Sequence, residues 1–281
     1  LSWARLGRGK ILIANQNYED AAATLKELVF EHPDYMEAYD LLAEALEKQG
    51  RPIQSQQILE TAAEHSPNAL LRHKHLAILA SSNQDIPTAC NAWRQTVSLG
   101  TYSVHDNSEH YLALGQSLSD LSEGESSNEG AAHADEALAI LRRMEKRFAG
   151  EKDVKLRSRI VESRVHAGQD RINEAQNALD SIADELDPEL MAPEACLDYA
   201  KTLFRLGREN DAKNLLSALA IRCSDNPPLL QKIESLLDEP VGFRQKLQAR
   251  SLNRDGIKAF EAGNLDDAVA TFNRALDIVP S

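Results

Sequence analysis

An all-α solenoid of stacked helix hairpins is the fold that this sequence predicts, and three observations carry it. Two segments of like composition, Glu31-His32-Pro33-Asp34-Tyr35 and Glu64-His65-Ser66-Pro67-Asn68, recur at a period of about 34 residues, Pro33 to Pro67. The arrangement Ala21-x3-Leu25-x2-Leu28 precedes Pro33, and Ala268-x3-Phe272-x2-Ala275 precedes Pro280, with the Ala equally far from the Pro in both. Aromatic residues make up only 5% of the chain. The abundant residues are Ala, Leu, Glu, Gln, Lys and Arg, which lose little rotamer freedom in a helix. Stacked repeats touch only their neighbours, so 281 residues need no single compact core.

Seven units can be traced in order. The first spans 2–35, and counting back from Pro33 places Gly9, rather than Gly7, at the small position where its two helices cross. The second, 36–69, carries Tyr39, Leu42, Ala43, Leu46, Gly50, Leu59, Ala62 and Pro67. The third, 70–103, carries Leu76, Ala77, Ala89 and Trp93, with Thr101 in place of the Pro. Pro52 and Pro87 fall in the first turn of a second helix, where a missing N–H costs no hydrogen bond. The fourth opens with Tyr111-x2-Leu114-Gly115, and the stretch from Gly115 to Ala134 is longer by seven positions than that from Gly9 to Ala21. The seven extra residues are expected in 122–130 as an exposed polar loop. The fifth, 152–188, keeps Gly168, Ala175, Leu179 and Pro188, and the sixth, 193–226, keeps Tyr199, Ala200, Leu203, Gly207, Ala212 and Leu216. This gives an array over 1–226, spacer helices over 227–248 and a final unit over 249–281, with a bend or boundary expected at 227–242.

These residues resemble the tetratricopeptide repeat (TPR) family, whose unit of about 34 residues pairs two antiparallel helices, A and B. The resemblance implies a right-handed superhelix whose A helices line a concave face that holds other proteins or peptides. Four segments are similar to something narrower. Ser2-Trp3-Ala4-Arg5-Leu6-Gly7, Tyr35 through Ala43, Leu99-Gly100-Thr101-Tyr102-Ser103 and Ala249 through Gly256 resemble the TPR region that follows the receiver domain of bacterial response regulators. That implies the adaptor or output part of a two-component signalling protein. No receiver pattern of strands and paired acids is present. The chain opens on Leu1 and ends after Pro280, so a fragment of a longer protein is expected.

Charge and motifs narrow the function classes. The net charge is −13, with a pI near 5.1 and no segregated Lys/Arg block, which argues against a nucleic-acid partner. No run approaches the roughly 20 apolar residues of a membrane span. Cys90, Cys196 and Cys223 form no C-x-x-C pair and fall in helical patterns, where a free thiol acts as a small apolar group. A reducing, cytoplasmic setting fits them. Gly7-Arg8-Gly9-Lys10 lacks the spacing of a phosphate loop. His73 and His75 point to different faces of a helix, so a shared metal is not expected. Asn107 and its neighbours read as a helix N-cap. The pairs Asp266/Asp267 and Glu123/Glu125 are read as a helix start and a loop, so neither is enclosed enough for acid–base catalysis. No catalytic residue, cofactor or metal is predicted.

The resemblance also maps the exposed positions of each helix A. They are Glu37, Asp40, Glu44 and Glu47 in the second unit; Lys74, Ile78 and Ser81 in the third; Glu109, Leu112 and Gln116 in the fourth; and Glu194, Lys201, Phe204 and Arg205 in the sixth. The acids of the second unit imply a basic or polar partner segment there, and the sixth unit an acidic or apolar one. Self-association as a homodimer, or a regulatory subunit of an enzyme, is the alternative.

Overall fold

The structure is a computed structural model that describes residues 1–124, 127–187, 189–238, 249, 252–253, 255–260 and 262–278. Every regular element among them is helical. In order these are α1 (Ser2–Ala14), α2 (Tyr18–Glu31), α3 (Met36–Lys48), α4 (Pro52–His65), α5 (Leu70–Ser82), α6 (Ile86–Gly100), α7 (Ser108–Gly124), α8 (Ser127–Arg147), α9 (Val154–Gly168) and α10 (Ile172–Asp180). A 3-10 turn (Ala183–Glu185), α11 (Pro193–Arg205), α12 (Glu209–Arg222), α13 (Pro227–Asp238) and α14 (Leu265–Ile278) follow. Residues 255–260 are helical as well. The chain forms two compact units, Leu1–His110 and Tyr111–Ser281.

The repeat is written in the backbone at six A-to-B hinges among the described residues. One residue per hinge takes positive φ: Gln16 (61°), Gly50 (73°), Gln84 (62°), Asp170 (57°), Gly207 (74°) and Gly263 (79°). The next N–H then reaches back to close the helix end, as Asn17 to the Leu12 carbonyl (2.8 Å), Arg51 to Leu46 (2.9 Å) and Asp85 to Ala80 (2.9 Å). The same bond joins Arg171 to His166, Arg208 to Leu203 and Asn264 to Ala259, each at 2.9 Å. It is the Schellman closure, which satisfies carbonyls that a helix end leaves free. Residues 16, 50 and 84 are spaced by the period found in the sequence. Gly suits this conformation because it has no Cβ, whereas Gln16 and Gln84 adopt it at some cost.

Packing across each hairpin follows the small-against-large pattern. Gly9 is buried, and a Cβ there would lie 2.7 Å from Leu25 Cδ2, whereas one on Gly7 would meet nothing within 4 Å. The count from Pro33 therefore identifies the crossing residue correctly. Gly256 faces Phe272 in the same manner (2.7 Å). In the first unit Leu25, Leu28, Leu42 and Leu59 are fully or almost fully buried. Each contributes about 1.5–3 kcal/mol by leaving water.

The fourth repeat departs from expectation. Residues 122–124 belong to α7 and 127–130 to α8, so the insertion lengthens two helices instead of forming a polar loop. Ser122 is buried. Residues 125–126, Glu125 included, lie outside the described residues. Gly115 packs on Leu141, where an added Cβ would lie 3.0 Å from Cδ2, and their separation along the chain is ten positions longer than that of Gly9 and Leu25. The insertion is therefore ten positions, three more than the seven expected. Both Ala134-x3-Leu138-x2-Leu141 and Ala137-x3-Leu141-x2-Met144 fit the pattern, and the contact selects the second frame. In the fifth repeat Pro188 also lies outside the described residues. α13 occupies 227–238 and buries Leu229 and Ile233 in the core formed with α11 and α12. Residues 239–248, which include the end of the expected boundary, are not described.

Candidate partner-binding face

In the first unit α1, α3 and α5 form one layer, because side chains of α3 reach both neighbours. Glu37 pairs with Lys10 on α1 (2.5 Å), and Glu47 with His75 on α5 (2.7 Å). Asp40 accepts two bonds from Arg72 on α5, both 2.8 Å, and Arg72 also meets the Ser66 hydroxyl. Three of the four acids expected to greet a basic partner thus already hold the layer together. Arg72 stands one repeat after the buried Ala38, and its side chain is only 8% exposed. Glu44 is exposed and has no partner among the described residues. On α5, Leu71 (62% exposed) and Ile78 (47%) stand two turns apart on one face, with the half-buried Lys74 and exposed Ser81 beside them.

The second unit arranges its A helices differently. Gln116 on α7 donates to Asp198 on α11 (2.6 Å), and Glu123 on α7 pairs with Arg205 on α11 (2.5 and 2.9 Å). Arg164 on α9 donates to Asp120 on α7. Lys201 stands 3.7 Å from Asp198. First and third A helices therefore touch directly, and the face they enclose is filled by their own charges. The Glu123 and Arg205 side chains are 6% and 8% exposed. Burial works to raise the Asp120 carboxyl, but the guanidiniums of Arg164 and Arg205 outweigh it and hold it below its ordinary value. Burial likewise works against the charge on Arg164, and Asp120 and Glu123 outweigh it.

The mapped residues thus divide. Leu112 and Phe204 are buried apolar side chains, and Arg205 is buried with Glu123, so none of the three stands open as expected. Phe204 belongs to the apolar core that α11 shares with α9 and α12, and Arg205 is turned to Glu123 on α7. Glu123, expected on a loop, belongs to α7. Gln116 and Lys201 are half-buried and engaged with Asp198, while Glu109 and Glu194 are exposed at helix starts. Glu44, Lys74 and Ile78 remain open. The sequence reading missed Arg72, Arg164 and Leu71. The available signal was a charge inside an apolar period, at Arg72 and Arg164.

His73 Nε2 donates to the Pro67 carbonyl (2.8 Å), away from His75, so the two histidines do face apart. Asn107 Oδ1 accepts from the Glu109 N–H (2.8 Å), capping α7 as expected. His110 is buried against Trp93, with ring centroids 6.0 Å apart, and burial followed by the nearby Lys74 lowers its pKa. Among the described residues no His, Cys, Asp and Glu group is arranged to hold a metal, and no helix is long and apolar enough to cross a membrane.

Hinge, crossing and layer together define an α-helical repeat scaffold. Residues 12–79 match the family model of the tetratricopeptide repeat, and hinges of the same backbone geometry recur beyond them as far as Gly263. Comparison with curated proteins gives no match. Among solved structures, a tetratricopeptide repeat protein from Parabacteroides merdae aligns over 99% of this chain and 93% of its own, with a TM-score of 0.56 and 11% identity. The type IV pilus biogenesis factor PilW aligns over 83% of this chain and 97% of its own (TM-score 0.46, 14% identity). The MamA protein aligns over 68% and 97% (0.48, 15%). Of these three likenesses, the first alone is close enough to bear on the fold, and it bears on the fold alone.

Proposed function

We propose that the chain is a non-catalytic scaffold that holds a helix or extended segment of another protein on the α1–α3–α5 face of its first unit. One observation carries this reading: Leu71 and Ile78 are exposed in line on α5 beside Lys74, and the neighbouring α3 leaves Glu44 unpaired among the described residues. Soluble proteins seldom leave aligned large apolar side chains uncovered without use. A partner segment would set apolar side chains against α5 and a basic one against Glu44. The four response-regulator-like segments support a finer reading, an adaptor or output role in bacterial two-component signalling in a reducing cytoplasm. A receiver domain encoded upstream in the full-length gene is the expected finding; another kind of neighbour would remove that finer reading. For the face itself, Ile78→Asp and Leu71→Asp should each weaken capture of the native partner at least tenfold, or about 1.4 kcal/mol, with helicity unchanged. Undiminished capture would refute the assignment.

A second reading, self-association, has its own observation. Leu265, Val269 and Leu276 on α14 are 59%, 58% and 56% exposed and share one stripe. Sedimentation across concentration separates the two, since a strict monomer contradicts self-association and leaves the scaffold reading intact.

A further inference from the structure

The opposite side of the first unit carries a second recognition feature. Between α2 and α4, over the end of α3, runs an open furrow of about 470 Å³. Its floor is apolar, made by Leu42, Leu46 and Ile58. Its walls carry Lys26 from α2 and Arg51 at the start of α4, both exposed and both without a side-chain partner among the described residues. Glu19 is the one acid on the lining, so the furrow is net positive in a protein of charge −13. Gln54 and Gln57 point exposed amides along the same wall, each able to donate and accept.

The next furrow along, of about 370 Å³ between α4 and α6, is built by the same positions one repeat later. Leu76 replaces Leu42, Thr88 replaces Gln54 and Asn91 replaces Gln57, but Glu60 stands where the first furrow has Lys26, and with Glu64 it outnumbers the lining's Arg94. The two furrows therefore share a shape and differ in charge. Neighbouring sites of opposite sign fix one register for a charged ligand, because the wrong site repels it.

We infer that the α2–α4 furrow binds an extended segment of a partner protein carrying an acidic residue beside alternate apolar residues. The acid faces Lys26 and Arg51, and the apolar side chains rest on Leu46 and Ile58. The amides of Gln54 and Gln57 meet the segment's backbone. In an extended chain every second side chain points to one face, so an acid and two apolar residues at alternate positions enter together. This site is separate from the α5 face and stands or falls without it.

Fluorescence anisotropy with a fluorescein-labelled Glu-Ser-Leu-Ser-Leu-Ser peptide tests the inference, with Lys-Ser-Leu-Ser-Leu-Ser as its charge-reversed counterpart. The acidic peptide should bind at least tenfold tighter than the basic one. Lys26→Glu with Arg51→Glu should reverse that preference, and Ile58→Asp should weaken binding at least tenfold; all three positions are partly or fully exposed, and circular dichroism checks that the fold survives. Ile78→Asp should change nothing in this assay. No binding of the acidic peptide, equal binding of both, or binding that survives the charge reversal would each overturn the inference. Binding lost in Ile78→Asp but kept in Lys26→Glu would move the peptide to the other face.

Discussion

The inner faces of the two units are built from the same helix and solve the same problem in opposite ways. In the first unit Glu37, Asp40 and Glu47 direct their charge sideways to Lys10, Arg72 and His75, so the layer stays spread and leaves Leu71, Ile78 and Glu44 to solvent. In the second, Glu123–Arg205 and Gln116–Asp198 run from the first A helix to the third and close the face. One repeat motif thus yields an open surface or a filled one, depending on which partner each charge finds. A map of exposed positions taken from the repeat alone is reliable only where the layer stays spread.

The largest effect should come from the closed face. Truncating Glu123 or Arg205 to Ala takes from a buried charge its direct ion-pair partner and should cost about 3–5 kcal/mol, read from urea denaturation. Replacing both with apolar residues of similar size should cost far less, because two desolvated charges are removed together. Truncating Lys10 or Glu37 should cost less than about 1 kcal/mol, since that pair is half exposed. Equal losses in the two units would erase the contrast.

Next comes a feature that the units share. Gly9→Ala and Gly115→Ala each drive a Cβ against a buried Leu, Leu25 and Leu141, and should cost about 1–3 kcal/mol. Gly7→Ala, on the same helix as Gly9 and in open space, should instead add about 0.5–1 kcal/mol. Thermal melts of the three variants order them.

This pair also shows how far the sequence reading reached. Hinge, crossing and period are local and repeat, so counting from Pro33 chose Gly9 over Gly7 with no structure. The length of the fourth insertion could not be read that way. Ala134 and Ala137 begin equivalent patterns three positions apart, and only the contact of Gly115 with Leu141 separates them. A polar composition over 122–130 suggested a loop, yet the flanking helices extend into it, with Ser122 buried, Glu123 held by Arg205, and Asn128 and Glu129 on an exposed turn. The openness of a face was less legible still. It depends on pairs such as Gln116 with Asp198, which are 82 residues apart, and a repeat count carries no information about them. Arg205, paired with Glu123, was misplaced for that reason.

Smaller effects should follow from the hinges. Gln16→Gly and Gln84→Gly relieve a left-handed residue at the cost of added chain entropy, for a net gain of about 0.5–1 kcal/mol each. Gly50→Ala should lose about 1 kcal/mol by the same argument. The smallest effect concerns His110 in the first unit. Its pKa is lowered in the fold, so the unfolded chain binds more protons as pH falls below about 6.5. Its contribution to stability is therefore full above that pH and declines below it. The urea midpoint, followed by Trp93 fluorescence from pH 7.5 to 5.5, should drop, and His110→Gln should flatten the slope.

Paired double-mutant cycles on Glu123–Arg205 and Lys10–Glu37, scored by equilibrium unfolding, test the contrast most directly. The buried pair, with side chains 6% and 8% exposed, should show a coupling of about 2–3 kcal/mol, and the half-exposed pair less than about 1 kcal/mol. Couplings of the same size in both would contradict a closed second face and an open first one.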